Sequence, residues 1–329
     1  MNQNKKICVI VILAILINIF TLAGLLYVNR GDKEEIQDQC DQYETYISSL
    51  EDKLIIDKED YKKNVIKFAN SARVAQLYMP DYFVYYGIDD IVFEPLNNNY
   101  PQNNYYIKDN MNNYKEDNDI LSYSDENTDT LFGIDISEYQ RNIDWDKIKE
   151  NDDIDFVFIR VGYRGYTKGK IKLDNMFKEH IENANEAGIP VGVYFFSGAI
   201  NEEEVIEEAE FVLENIKDYN VELEVVYDME VISGNNNRMK DLTNEDRTLL
   251  TKTFVNKIKE NNYTPMVYGN AKWFMDYVNY EDLLDYNLWY ANYASFNWPY
   301  KVNYFQYSES GNIDGIKGNV DMNIKFINK

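Results

Sequence analysis

Asp228, Met229 and Glu230 close the apolar run Val225-Val226-Tyr227. Side chains of a strand alternate between faces, so the two carboxylates share one face and Met229 takes the other. Like charges this close raise at least one pKa, and a carboxyl held protonated can serve as a general acid. A buried acid pair is seldom kept for stability alone. The chain has a single histidine, His180, which removes most serine, cysteine and zinc hydrolase chemistries. If the chain is an enzyme, carboxylates do the work. His180 lies between Glu179 and Glu182 and reads as a solvated surface residue. Arg160, inside the apolar strand FVFIRVGY (156–163), requires an acidic partner.

Two further acids stand in comparable settings. Asp135 lies in Gly133-Ile134-Asp135-Ile136-Ser137, and Asp321 in Val320-Asp321-Met322-Asn323. Each has a plain structural reading. Ser137 and Gln140 have capping-box spacing, and an aspartate near a terminus can form a turn. Together, four acids from three separated segments could converge on one mouth.

The elements that must position them begin at residue 131, where short apolar strands alternate with amphipathic helices. Strands are expected at 156–163, 189–197, 221–230, 264–270, 286–293 and 302–308. Helices are expected at 175–188, stopped by Gly188, at 201–216, and at 243–262, capped by Thr243. This alternation implies a parallel sheet, and about eight strands suggest a barrel with its functional residues at the C-terminal strand ends. The last strands leave no room for full helices between them, so the helical ring is incomplete.

Composition narrows the partners. The 329 residues carry 33 Lys and Arg against 57 Asp and Glu, a net charge of -24. That argues against nucleic acid and against an electrostatic membrane partner. The 29 tyrosines could stack on sugar rings or reflect a coding bias. The only cysteines are Cys8 and Cys40, so no intradomain disulfide or cysteine metal site is possible beyond residue 40. No metal or cofactor is implied.

The N-terminal part is organised differently. Residues 1–6 read as a cytoplasmic tail, and residues 7–28, uncharged and almost wholly apolar, as a transmembrane signal anchor. The alternative is a cleaved peptide, with Leu22-Ala23-Gly24 the best cleavage site. Residues 29–80 read as a helical stalk with a heptad-like seam through Ile36, Cys40, Tyr43, Ile47, Leu50 and Leu54. A coiled-coil homodimer linked through Cys40 and an amphipathic helix packed on its own chain are both open. Residues 81–130 read as an irregular segment and a linker: 81–96 contain aromatic, strand-like pieces with no evident place, and 97–130, rich in Asn, Asp and Tyr, read as flexible linker.

The segments GIDISEYQ (133–140), DFVFIRVGY (155–163), AGIPVGVYFFS (187–197), YDME (227–230), LWYANY (288–293), FQYS (305–308) and GNVDMN (318–323) resemble the glycoside hydrolase family 25 lysozymes. The resemblance covers residues 131–329 in order. It implies a flattened, irregular (β/α) barrel of eight strands with an incomplete helical ring. It also implies cleavage of the β-1,4 bond between N-acetylmuramic acid and N-acetylglucosamine in peptidoglycan. Glu230 matches the general acid, Asp228 its partner, and Asp135 and Asp321 the family's other two aspartates. Tyr194, Trp289, Tyr293 and Gln306 match positions that line the groove. Phe305, where the family often has Trp, and Arg164, where small residues are usual, depart from the pattern.

On this reading Glu230 protonates the leaving oxygen. Asp228 is either the nucleophile or the group that orients the substrate's acetamide, the second being preferred. The expected location is a single-pass cell-membrane protein with its catalytic domain outside. A non-catalytic wall-binding or assembly module is the competing class.

Overall fold

The structure, a computed structural model, describes residues 61, 62, 65, 71–79, 81–105, 111–150, 154–232, 234, 236–294 and 296–329. The expected membrane span at 7–28, Cys40 and most of the stalk lie outside the described residues. Among the described residues no helix is long and apolar enough to cross a membrane. The chain divides into two units, Met1–Pro80 and Asp81–Lys329. In the first, helix α1 (Ala72–Tyr78) starts at Ser71, whose side chain accepts from the Val74 N–H at 3.2 Å.

Eight strands of the second unit close into a barrel. They are β5 (Thr128–Ile136), β6 (Phe156–Arg164), β8 (Val191–Phe196), β9 (Val225–Asp228), β10 (Pro265–Asn270), β11 (Asn287–Ala291), β12 (Tyr304–Gly311) and β13 (Val320–Asn328). From β5 through β12, neighbours in this series are parallel; β13 runs antiparallel to both β12 and β5 and closes the ring. A short β7 (Ile171–Leu173) folds back on the end of β6.

Inward positions follow the two-residue strand period. Phe156, Phe158, Val226, Met266, Trp289 and Tyr304 form one cluster inside the barrel. Gly133 and Gly192 make room for it. A Cβ at Gly133 would sit 2.4 Å from the Phe156 ring, and one at Gly192 would sit 2.2 Å from Phe158. The opposite strand faces join the larger core beneath the helices.

Those helices are α2 (Trp145–Glu150), α3 (Phe177–Ala187), α4 (Glu202–Ile216) and α5 (Asn244–Glu260). Gly188 ends α3 with φ 75°, and Thr243 opens α5 with a capping box completed by Asp246. Among the described residues after β10 only a π-helical turn (Trp273–Tyr277) and a 3₁₀ turn (Tyr280–Leu283) remain, so the helical ring is incomplete as expected.

Residues 81–96 form strands, as their texture suggests, whereas residues 97–130 depart from the expected flexible linker. Together they form two hairpins, β1 (Tyr82–Tyr86) with β2 (Ile91–Pro95) and β3 (Tyr114–Asp117) with β4 (Ile120–Tyr123), and β5 already begins at Thr128. The β3–β4 turn has φ 49° at Asn118 and 67° at Asp119, the signature of a tight two-residue hairpin. Their aromatic side chains cover the side of the barrel that lacks helices. Phe83 packs edge-on to Trp298 at 5.2 Å, Tyr105 stacks on Phe326 at 3.7 Å, and the Tyr85 hydroxyl donates to Asp276 at 2.6 Å. The Asn, Asp and Tyr of 97–130 suggest a linker, but its tyrosines bury their rings and their hydroxyls meet backbone or side-chain acceptors.

His180 also departs from expectation. It is 1% exposed, because Phe177, His180, Ile181 and Ala184 make the inner face of α3. Burial lowers its pKa, and its Nε2 lies 3.2 Å from the Ser137 carbonyl oxygen.

Candidate active site

Three strands bring the four acids to one end of the barrel. Asp135 lies near the end of β5, Asp228 ends β9, and Asp321 opens β13. Glu230 follows two residues past β9. The strand is shorter than expected, but its alternation continues. Asp228 is buried in the mouth, Met229 enters the outer core, and Glu230 is solvent-exposed.

The electrostatics of the group are dominated by carboxyls crowded into protein. Burial pushes Asp228 well above the usual carboxylate range, and the nearby Glu230 and Asp135 push it further. Glu230 keeps contact with solvent, yet the surrounding wall of the mouth desolvates it enough to raise its pKa. Asp321 is pushed up to about 8 by burial, by the charge of Asp135 and by a hydrogen bond to that residue. Asp135 is raised by burial, against hydrogen bonds from Asn323, Gln306 and Asp321 that favour its ionised form. One Asp228 oxygen, Oδ1, is buried with no hydrogen-bond partner.

Two side-chain amides orient this cluster. Asn323 Nδ2 and Gln306 Nε2 each donate to Asp135 Oδ2 at 2.9 Å, and Gln306 Nε2 also approaches Asp321 Oδ2 at 3.5 Å. Each amide is fixed by donors to its oxygen. Trp289 Nε1 donates to Asn323 Oδ1 at 2.9 Å. The Tyr268 and Tyr293 hydroxyls donate to Gln306 Oε1 at 2.7 and 3.0 Å. Burial and the surrounding acids keep Tyr268 protonated and therefore able to donate.

The residues expected along the groove thus separate. Tyr293 is half-exposed and Tyr194 half-buried; burial, and then the charges of Asp135, Asp228 and Asp321, raise the Tyr194 phenol against Arg160. Trp289 and Gln306 do not line an open groove. Trp289 is 2% exposed, stacked on Phe158 inside the barrel, and Gln306 is buried beneath the acids. They lie below the mouth, where Trp289 fixes the Asn323 amide and Gln306 presents its own amide to Asp135.

Asn323 and Tyr268 were not expected among the site residues. Asn323 was marked only by its two-residue offset from Asp321, and Tyr268 by the end of the run 264–270. Arg160 has the acidic partners its setting requires, Asp174 at 2.8 Å and Glu138 at 3.4 Å. Among the described residues no group of three or more His, Cys, Asp or Glu side chains is arranged to hold a metal ion.

Comparison with known proteins gives this arrangement a family. The autolytic lysozyme of Clostridium acetobutylicum is 26% identical over 192 residues, 58% of this chain; the chain spans only 54% of that protein's length. Two solved structures share the fold. The autolysin LytC of Streptococcus pneumoniae, in complex with a synthetic peptidoglycan ligand, aligns over 72% of this chain and 54% of its own. That alignment has a TM-score of 0.56 at 22% identity. The spore cortex lytic enzyme SleM of Clostridium perfringens aligns over 60% of this chain and 67% of its own, with a TM-score of 0.52 at 23% identity. Residues 134–316, more than half of the sequence and carrying three of the four acids, match the glycosyl hydrolases family 25, and the chain belongs to that family.

Proposed function

We propose that this chain hydrolyses peptidoglycan, cleaving the β-1,4 bond between N-acetylmuramic acid and N-acetylglucosamine. The observation that carries the reading is the contrast between Asp228 and Glu230. One is buried and crowded by carboxyls; the other carries a raised pKa yet remains open to solvent. A proton donor needs both properties, a retained proton and access to the leaving oxygen.

In this mechanism Glu230 donates its proton to the glycosidic oxygen as the bond to the muramic acid anomeric carbon breaks. Asp228 faces the other side of the reaction. Its unpartnered Oδ1 favours substrate-assisted attack, in which Asp228 accepts from the N–H of the substrate's 2-acetamido group and aims that group's oxygen at the anomeric carbon. Water then opens the intermediate, and Glu230 takes back a proton. Asp135 and Asp321 hold the opposite side of the mouth and set the charge of the cluster.

The relatives, an autolytic lysozyme, a spore cortex lytic enzyme and an autolysin bound to a synthetic peptidoglycan ligand, support the substrate class. Residues 7–28 would tether the domain to the outer face of the cell membrane, which suits local wall remodelling better than free diffusion. Mass spectrometry of digested peptidoglycan tests the chemistry. New reducing ends on muramic acid are expected, and new reducing ends on glucosamine would contradict the proposed bond.

A further inference from the structure

Tyr139 is 77% exposed, four residues beyond Asp135 on the loop that leaves β5. Exposed as it is, its position is built. Its ring lies 5.3 Å from the Arg160 guanidinium, which also lies 5.4 Å from the ring of Tyr163. Arg160 is held in turn by Asp174, whose side chain is fully buried. The same Asp174 Oδ2 accepts from the backbone N–H of Glu138 at 3.0 Å, and Asp174 Oδ1 accepts from the Met176 N–H at 2.9 Å. One buried carboxylate therefore ties the Tyr139 loop, strand β6 and the start of α3 together.

The strand order places this platform relative to the acids. Around the closed ring the strands run β5, β6, β8, β9, β10, β11, β12, β13. In an eight-strand ring β6 stands opposite β11, and β9 stands opposite β13. Arg160 lies on β6, and Tyr293 follows β11. Asp228 ends β9, and Asp321 opens β13. A line from Tyr139 to Tyr293 therefore crosses the mouth between the two acid sides.

We infer that Tyr139, propped by Arg160, is a sugar-stacking subsite at one end of a glycan track that crosses the mouth from β6 to β11. Tyr293 marks the other end. An exposed phenol ring presents its face to the apolar face of a pyranose, and the guanidinium behind it fixes the ring's attitude. The inference rests on the hydrolase reading of the site and adds the direction of the chain across it.

The test compares Tyr139→Ala, Tyr139→Leu and Tyr139→Trp in the full chain. KM and kcat are measured on purified glycan strands, alongside binding of the same strands to each substitution in a Glu230→Gln background. Loss of the ring is expected to raise KM and weaken strand binding by about five- to tenfold, with a smaller change in kcat. Tm should be unchanged, because the ring is exposed. Tyr139→Trp should restore binding and Tyr139→Leu should not. Unchanged strand binding in Tyr139→Ala, or full rescue by Tyr139→Leu, would overturn the subsite and leave Tyr139 as a cover for the Arg160–Asp174 pair. A chain that binds strands through Tyr139 but releases no product would support the subsite while contradicting the hydrolase reading.

Discussion

Asp135 and Asp321 stand directly opposite each other in the antiparallel register of β5 and β13, and their carboxyls share a hydrogen bond. Such a bond needs one proton. Two amide donors on Asp135 favour its ionised form, so the proton resides on Asp321, which is pushed up to about 8. The register places the pair, and the amides decide which member is charged.

This pair makes stability depend on pH in an unusual direction. The folded pKa of Asp321 lies above its unfolded value, so the folded state binds more protons between about pH 4 and pH 8. Its contribution is fully present below pH 4 and is lost as pH rises through about 8. Asp321→Asn removes that dependence. Thermal unfolding should show the variant gaining on the parent chain as pH rises from 5 to 8. A constant difference across that range would refute the shared proton.

Trp289→Phe tests the relay beneath the acids. The ring would still pack on Phe158, but Asn323 Oδ1 would lose its donor. An unsatisfied buried polar atom costs about 1–3 kcal/mol, and Tm should fall accordingly. The amide would also be free to turn, so the pH–rate profile should shift. A variant with lowered Tm but an unmoved pH profile would leave Trp289 a packing residue only.

The hairpin segment should be indispensable. Tyr105→Ala removes a ring stacked on Phe326 and the hydroxyl partner of the Val302 carbonyl. Truncating a buried aromatic typically costs about 3–5 kcal/mol. A chain beginning at residue 127, just before β5, loses β1–β4 as well and should show no cooperative unfolding, whereas one beginning at residue 81 should unfold cooperatively. Equal Tm for the two would show that the segment is an appendage.

Gly133→Ala places a methyl against the Phe156 ring, two residues from Asp135. Overpacking of this kind costs about 1–3 kcal/mol. Circular dichroism melts should show the loss, and activity should fall with it as the ring pushes β5 outward. An unchanged melt would mean that Phe156 has space to move.

The sequence marks the acids clearly because a strand's period of two is visible in Asp228-Met229-Glu230 even where β9 itself stops at Asp228. Barrel strands and helices are legible because their apolar periods differ. Depth within the barrel is not. Trp289 and Tyr293 sit four residues apart in one motif, yet one is buried under the acids and the other rises past the rim. Local charge misleads at His180, where the flanking glutamates point to solvent while the i, i+3, i+4 and i+7 pattern carries the histidine inside. In 81–96 the strands show as aromatic and β-branched pieces, but in 97–130 the short β3–β4 hairpin lacks the apolar runs that identify strands, and the Asn118–Asp119 turn is its local signal.

The most direct test of the account is Glu230→Gln assayed on purified peptidoglycan. The substitution keeps size and hydrogen-bonding shape but removes the proton. Hydrolysis should fall by about 10²–10⁴-fold, with Tm retained, because that is the usual contribution of a positioned general acid. Near-normal release of muramic acid reducing ends by this variant would contradict the assignment of Glu230 as proton donor.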